Sequence, residues 1–420
     1  MPNRREFLTT LAAATACGAA FPSRASAAAR PRKRIAIITT VWTYLSHAQH
    51  MGDRFLVGYP RHGRWHSSEL QVVSVYVDQK PAGDLSARRA ADHGFTHHPT
   101  ITEALRCGGK TLAVDGVVII GEHGNYPRNE KGQVLYPRYE FFQEVARVFE
   151  QDGRAVPVFN DKHLSYSWEK ARDMVATSKR LGFPFLAGSS LPVTWRLPPV
   201  EVPYGARLRE ALMVGVGGSD PMDYHALEAM QCMIERRRGG ETGIRSVQML
   251  EGDAVWKAGD EGRWSRRLLE AALSRSDSLN GVSDLDSRPQ DLAHNGELPK
   301  LVPHPAAYFI EHNDGLRTTL LMLNGALADF NFAASLENGD LISTQFFLPP
   351  TPNVTYSACL MAQVEEMIVT GRAPYPVERT QIASSMLDRC LDSKVSGYRR
   401  IETPELNIRY RAPRASLFGG

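Results

Sequence analysis

No charge of one sign dominates this sequence. Its 420 residues carry 49 lysines and arginines against 46 aspartates and glutamates, for a formal net charge of +3. Arg4, Arg5 and Arg24, set against Glu6, supply two of those three surplus charges from the first 27 residues alone. A near-neutral body gives no electrostatic reason to expect a nucleic acid or an anionic membrane as partner. Cysteine is scarce, at five residues, and Cys107, Cys232, Cys359 and Cys390 stand at no metal-ligand or redox spacing. That excludes a zinc ribbon or a thioredoxin-like centre. Buried free thiols are the expectation. A Cys359–Cys390 disulfide is open only in an oxidising compartment and only if their helices pack together. No apolar run reaches the ~20 residues that a membrane-spanning helix needs. What is present is ordinary globular composition, 43% hydrophobic and 23% charged, which excludes disordered and collagen-like chains. The length exceeds what one hydrophobic core usually supports, so two domains are expected.

Residues 1–27 read as an export signal. The twin arginine Arg4-Arg5 precedes an apolar stretch from Phe7 to Phe21, and Ala25-Ser26-Ala27 offers a small-residue cleavage site. Cys17 is not read as a lipid anchor, because Ala14 stands three residues before it where such a signal prefers leucine. The expected destination is the periplasm.

The exported body opens with an alternation of strands and helices. Residues 34–40 (RIAIITT), 70–77 (LQVVSVYV), 114–120 and 156–159 are short β-branched runs. Helical patterns lie between them at 48–56, 102–106 and 139–150, where Phe142, Val145 and Phe149 share a face ahead of Asp152-Gly153. This pattern predicts a Rossmann-like parallel-sheet domain over 31–165. A second α+β domain over 166–420 follows, with a mostly antiparallel open sheet. There, strands at 213–216 and 247–250 flank a helix from 224 to 238. Four strands over 306–348, joined at Asn313-Asp314-Gly315, Ala326-Leu327 and Asn338-Gly339, predict an antiparallel meander. The stretch 275–300 reads as a polar surface loop. Two final helices within 356–392 pack back on the body.

The order of these elements resembles the Gfo/Idh/MocA superfamily, the glucose–fructose oxidoreductase and inositol dehydrogenase group. The likeness rests on Pro99-Thr100 to Leu105 followed by Val114-Asp115-Gly116-Val117-Val118-Ile119. It rests also on Asn160-Asp161-Lys162-His163, then Trp168-Glu169-Lys170-Ala171 and Phe183-Pro184-Phe185-Leu186-Ala187-Gly188, and on the ending Val369-Thr370-Gly371-Arg372-Ala373-Pro374. The resemblance implies an oxidoreductase-like enzyme for a small carbohydrate or polyol, NAD(P) as cofactor, and a homo-oligomer. It implies Lys162 and His225 as proton-transfer residues, with Asp161 where the family has glutamate, and Asp220 or Asp223 upstream of His225. It implies Asp78 as the ribose partner, a position that a turn before Gln79-Lys80-Pro81 also explains.

The turn where the dinucleotide phosphates belong departs from that pattern. Thr39, Val41 and Tyr44 occupy the places of the glycines that let a backbone approach a pyrophosphate. A displaced or absent cofactor is therefore the expectation, with Thr39, Asp78, Glu122 and His123 as the residues at hand to contact one. His47, His50 and Asp53, spaced i, i+3, i+6, can share a helix face. With Glu122-His123 after the adjacent strand, they are the candidates for a divalent metal, His47 and His50 foremost. Two further readings stay open: a redox-silent, metal-dependent carbohydrate lyase or hydrolase, and a non-catalytic sugar-binding protein.

Overall fold

The computed structural model describes residues 31–218, 220–281 and 292–419. The leader reading of residues 1–27, and the middle of the polar stretch 275–300, lie outside them.

The β-branched runs form the strands of a six-stranded sheet, because stiff branched side chains pack well on a pleated, doubly covered surface. In chain order these are β1 (Lys33–Thr39), β4 (Leu70–Val77), β5 (Thr96–His97), β6 (Gly116–Ile120), β7 (Val158–Asp161) and β8 (Phe185–Gly188), with a small hairpin of β2 (Tyr59–Arg61) and β3 (Arg64–His66) between β1 and β4. The strand order is β5-β4-β1-β6-β7-β8, and every pairing is parallel. The chain leaves β1 toward one edge and returns to fill the other, so the order reverses between β1 and β6. In open α/β sheets ligands bind outside the strand ends at that reversal.

The sheet runs past residue 165, since β8 pairs with β7 after the crossover helix α5 (Trp168–Leu181). Ser167 caps α5 by accepting from Lys170 N–H, and Gly182 ends it in the left-handed region. One face is covered by α3 (Ile101–Arg106), α4 (Arg138–Asp152) and α5, into which Phe142, Val145 and Phe149 pack as their spacing predicts. The other face takes Trp42, Met51 and Phe55 from the turn and helix after β1. That helix opens as a π turn (Ala48–Gly52) and continues as α1 (Asp53–Val57). The same face takes Leu360, Val364 and Ile368 from α10 (Ser357–Thr370), so a helix from near the chain's end completes the first domain's core.

The second sheet has eight strands in the order β16-β11-β12-β13-β10-β14-β15-β9. Their ranges are β9 (Trp195–Leu197), β10 (Leu208–Gly215), β11 (Ile244–Glu251), β12 (Ala306–His312), β13 (Arg317–Met322), β14 (Phe330–Leu336), β15 (Leu341–Phe347) and β16 (Ile401–Glu402). The predicted meander is broken at one place. β13 and β14 are not neighbours, because β10 lies between them, parallel to β13 and antiparallel to β14. The Ala326-Leu327 connection thus crosses over a strand laid down a hundred residues earlier. The other two turns are hairpins, as expected.

One face of this sheet packs on α6 (Pro221–Ile234) and α11 (Glu378–Val395), where Met213, Leu320 and Phe332 meet Leu227, Met230 and Met386. The helix α6 ends at Ile234, earlier than Arg238, and Arg237 beyond its end pairs with Glu241 and Asp314. The opposite face carries α7 (Asp253–Asp260) and α8 (Arg266–Leu273), with Trp264 and Leu269 on Leu212, Val214 and Leu321. The polar stretch 275–300 ends in that same core through Leu292, Ala293 and Leu298. Cys359 and Cys390 fall in different cores, and all four described cysteines are free thiols. Among the described residues no helix is long and apolar enough to cross a membrane.

Candidate functional site

The crevice between the carboxyl ends of β1 and β6 gathers most of the residues that the sequence singles out. It is stitched closed at its base. Thr39 Oγ1 lies 3.0 Å from Ile120 O, and Thr40 Oγ1 donates to Glu122 O at 2.6 Å. Thr39 is fully buried, so its side chain is a strand-to-strand tie rather than a cofactor contact.

Three amides of the turn after β1 are taken up by the chain's own side chains. Thr43 N–H donates to Ser46 Oγ at 3.0 Å, Leu45 N–H to Gln49 Oε1, and His47 N–H to His123 Nδ1 at 3.4 Å. Such amides at a strand–helix turn are the groups that bind a pyrophosphate when they are free. Val41 is buried and Tyr44 is 66% exposed. Asp78 accepts from two phenols, Tyr76 at 2.8 Å and Tyr126 at 2.6 Å. Tyr126 belongs to a loop, residues 121–137, that lies along this end of the sheet. Lys131 ties the loop to Asp388 and Asp392 of α11, and Gln133 Nε2 donates to Asp220 Oδ1 at 3.2 Å. Gly124 (φ 99°) is required there, since a Cβ would stand 2.8 Å from the Tyr126 ring.

Beside this turn lies a cluster of charged and imidazole groups. His47 Nδ1 is 2.6 Å from Asp161 Oδ2, with the Asp161 side chain wholly buried and His47 15% exposed. The His50 and His123 rings flank His47 at 5.6 and 5.0 Å between centroids. Lys162, buried at the end of β7, pairs with Glu122 Oε1 at 3.2 Å, and Arg138 pairs with the other Glu122 oxygen. Gly121 permits this, because a Cβ there would lie 2.6 Å from Arg138 Cγ. Burial alone would push the Glu122 carboxyl up, but Lys162 and Arg138, with His47 and His123, hold it well below the usual carboxylate range. Burial pushes His50 down to about 3 and His123 down to about 4, with His47 adding to both, so these two imidazoles are neutral near neutral pH.

The second domain reaches the cluster through α6. The His163 ring packs on Tyr224 at 5.2 Å, and its Nε2 lies 3.3 Å from Arg138 Nη1. His225, next in the chain, is held well below the ordinary histidine range by burial, then by Lys162 and His47. Its Nδ1 is buried with no hydrogen-bond partner.

Leu45, His123, Lys162 and Asp220 all adopt positive φ, at 57°, 69°, 58° and 68°. Strained non-glycine backbone of this kind gathers at functional sites.

Three expectations need correction. The upstream carboxylates do not orient His225. Asp223 Oδ2 accepts from Tyr308 at 2.6 Å and from Asp220 N–H at 3.2 Å, and Asp220 faces Gln133. Asp53 does not join His47 and His50 but is held by Arg89 and Trp42. His47 and His50 do not form a metal site: among the described residues no three His, Cys, Asp or Glu groups converge as a metal would require.

Sequence reasoning missed Arg138, Tyr126 and Tyr136. Tyr136 meets the Tyr126 ring edge-on at 5.6 Å and lies under the Arg138 guanidinium at 5.0 Å. An arginine opening an amphipathic helix reads as solvated, and nothing local marks it as fully buried.

The sequence matches no protein-family model and no curated protein. Its fold is similar to that of solved structures. One is GenD2 from gentamicin A biosynthesis in complex with NAD, 12% identical at a TM-score of 0.54, over 89% of this chain and 96% of that one. Another is myo-inositol 2-dehydrogenase from Lactobacillus plantarum, 11% identical at 0.51, over 88% and 99%. A third is myo-inositol dehydrogenase from Lactobacillus casei in complex with NAD(H) and myo-inositol, 10% identical at 0.50, over 88% and 96%. At such identities the likeness is one of fold, and the two-domain Gfo/Idh/MocA fold implied by the sequence motifs is the fold observed.

Proposed function

We propose that this chain is a divergent Gfo/Idh/MocA-type enzyme that acts on a sugar or polyol by proton transfer at Lys162 and His225. The polyol reading is supported by the fold neighbours, one of which is described with NAD(H) and myo-inositol. The observation that carries the proposal is that Lys162, paired with Glu122, precedes His163, whose ring packs on Tyr224 of α6, and that His225, next in that helix, keeps a buried Nδ1 with no hydrogen-bond partner. Lys162 Nζ is anchored on one side by Glu122 and has donors left for a substrate oxygen. A neutral His225 offers one acceptor and one donor, which suits it to take or return a hydroxyl proton.

The residues present do not fit a nicotinamide dinucleotide in its usual pose. The Thr43, Leu45 and His47 amides of the turn are occupied by Ser46, Gln49 and His123, the glycines are replaced, and Asp78 is held by two tyrosines. The proposal therefore routes no step through that cofactor. A displaced dinucleotide is the second reading, favoured by the NAD-bound neighbours.

The test is binding of inositols and turnover of aldoses, which carry a carbonyl, both followed by NMR on the purified protein. Lys162→Met and His225→Ala should each abolish turnover. His225→Ala should leave the melting temperature within a few degrees of the parent, because its ring makes no hydrogen bond through Nδ1. Full turnover in either variant would contradict the assignment.

A further inference from the structure

We propose that His47 is a catalytic base, oriented by Asp161, that takes a proton from carbon beside a carbonyl group in a polyhydroxy ketone. This deepens the reading above and rests on its polyol site.

The geometry comes first. Asp161 and Lys162 are consecutive, and in a continuing strand their side chains would point to opposite faces. Lys162 instead adopts φ 58°, closed by a bridge in which its N–H donates to Gly188 O at 3.0 Å. The break lets both residues serve one cluster: Asp161 takes His47, and Lys162 takes Glu122. The two halves act on each other, since His47 helps hold the Glu122 carboxyl down.

The His47–Asp161 pair is built as a dyad. The 2.6 Å bond runs to Nδ1, from a carboxylate fully out of solvent, and His47 keeps 15% exposure, which leaves Nε2 as its reactive nitrogen. A carboxylate on Nδ1 fixes the ring's tautomer and stabilises the imidazolium that forms when Nε2 gains a proton. His50 and His123 do not compete for that proton, because burial keeps both neutral. His123 also fixes the main chain of His47 through the 3.4 Å contact to its N–H.

The chemistry balances without an oxidant. His47 Nε2 takes the proton from the carbon next to the carbonyl, and the C–H electron pair becomes the C=C of an enolate. The carbonyl π pair moves to oxygen, where Lys162 Nζ donates a hydrogen bond. Return of a proton from His47 re-forms the C–H bond and the carbonyl, so the carbon exchanges its hydrogen with solvent. A carbonyl is needed because a carbon bearing only a hydroxyl is not acidic enough for an imidazole. His47 is the catalytic residue in this step; Asp161 is a positioning residue.

The test uses the purified full chain with 2-keto-myo-inositol in D2O, following loss of the proton signals beside the carbonyl. Alongside it, ¹⁵N NMR of the imidazoles reads the His47 tautomer. Exchange should be catalysed, and His47→Gln should slow it about 100- to 10,000-fold, the usual worth of a general base. The neutral His47 ring should carry its proton on Nδ1. Asp161→Asn should abolish that tautomer and slow exchange, and Asp161→Glu should restore part of both. A proton on Nε2 in the parent, or exchange unchanged in His47→Gln, overturns the dyad. No exchange in the parent overturns the substrate class. Exchange lost in His47→Gln but intact in Lys162→Met and His225→Ala leaves the dyad standing and overturns the proposed roles of Lys162 and His225.

Discussion

Lys162 Nζ lies 3.2 Å from Glu122 Oε1, at the ends of adjacent parallel strands, and both side chains are buried. A buried carboxylate is tolerated only when its charge is met, and Glu122 is met twice, by Lys162 and by the fully buried Arg138. The site is therefore held together by charges that no single pair accounts for.

Removing Arg138 should expose that dependence. Arg138→Met leaves Glu122 with one counter-charge and should destabilise the fold by about 3–5 kcal/mol, the cost of breaking a buried pair. Urea denaturation measures it. A loss below about 1 kcal/mol would show that Lys162 alone satisfies Glu122.

Acid should act through the histidines. His50 is pushed down to about 3 in the folded protein, against ~6.5 for an unperturbed histidine. Between those values the unfolded chain binds a proton that the folded chain refuses, so this group's contribution to stability falls as pH falls below about 6.5. Asp223, raised by burial to about 6, and Glu228, raised to about 7, work the opposite way in the same window. The net profile mixes both signs, so a single-residue comparison is needed. His50→Asn should gain stability relative to the parent between pH 7.5 and pH 5. Parallel profiles for the two proteins would contradict the assignment.

Much of the fold was legible, and the reasons for the exceptions are physical. Alternating β-branched runs and capped helices, such as Ser167 to Gly182, carry their own start and stop signals. The placement of β10 between β13 and β14 does not, because pairing between strands a hundred residues apart leaves no local mark. In the site, Lys162, His225 and Asp161 were marked by the family resemblance, and His47, His50, Glu122 and His123 by residue type and their place after β1 and β6. Their partnerships were not. The His47–Asp161 bond and the closure of Asp78 by Tyr126 depend on loop paths that no spacing rule encodes. Arg138 was missed because burial of a charge is decided by its partner, and Glu122 lies sixteen residues away.

Export is proposed from the leader alone. The secreted form should begin near Ala28, after Ala25-Ser26-Ala27, and replacement of Arg4 and Arg5 by lysine should block its appearance. N-terminal sequencing of periplasmic protein checks this. An intact Met1 in the mature material would contradict it.

The claim on which the account turns is that the chain's own groups fill the dinucleotide turn. Titration calorimetry of NAD and NADP into the purified protein tests it most directly. The occupied amides at Thr43, Leu45 and His47, with Asp78 held by Tyr76 and Tyr126, predict no saturable binding or a dissociation constant in the millimolar range. A low-micromolar or tighter constant would contradict the account and restore a nicotinamide-dependent dehydrogenase.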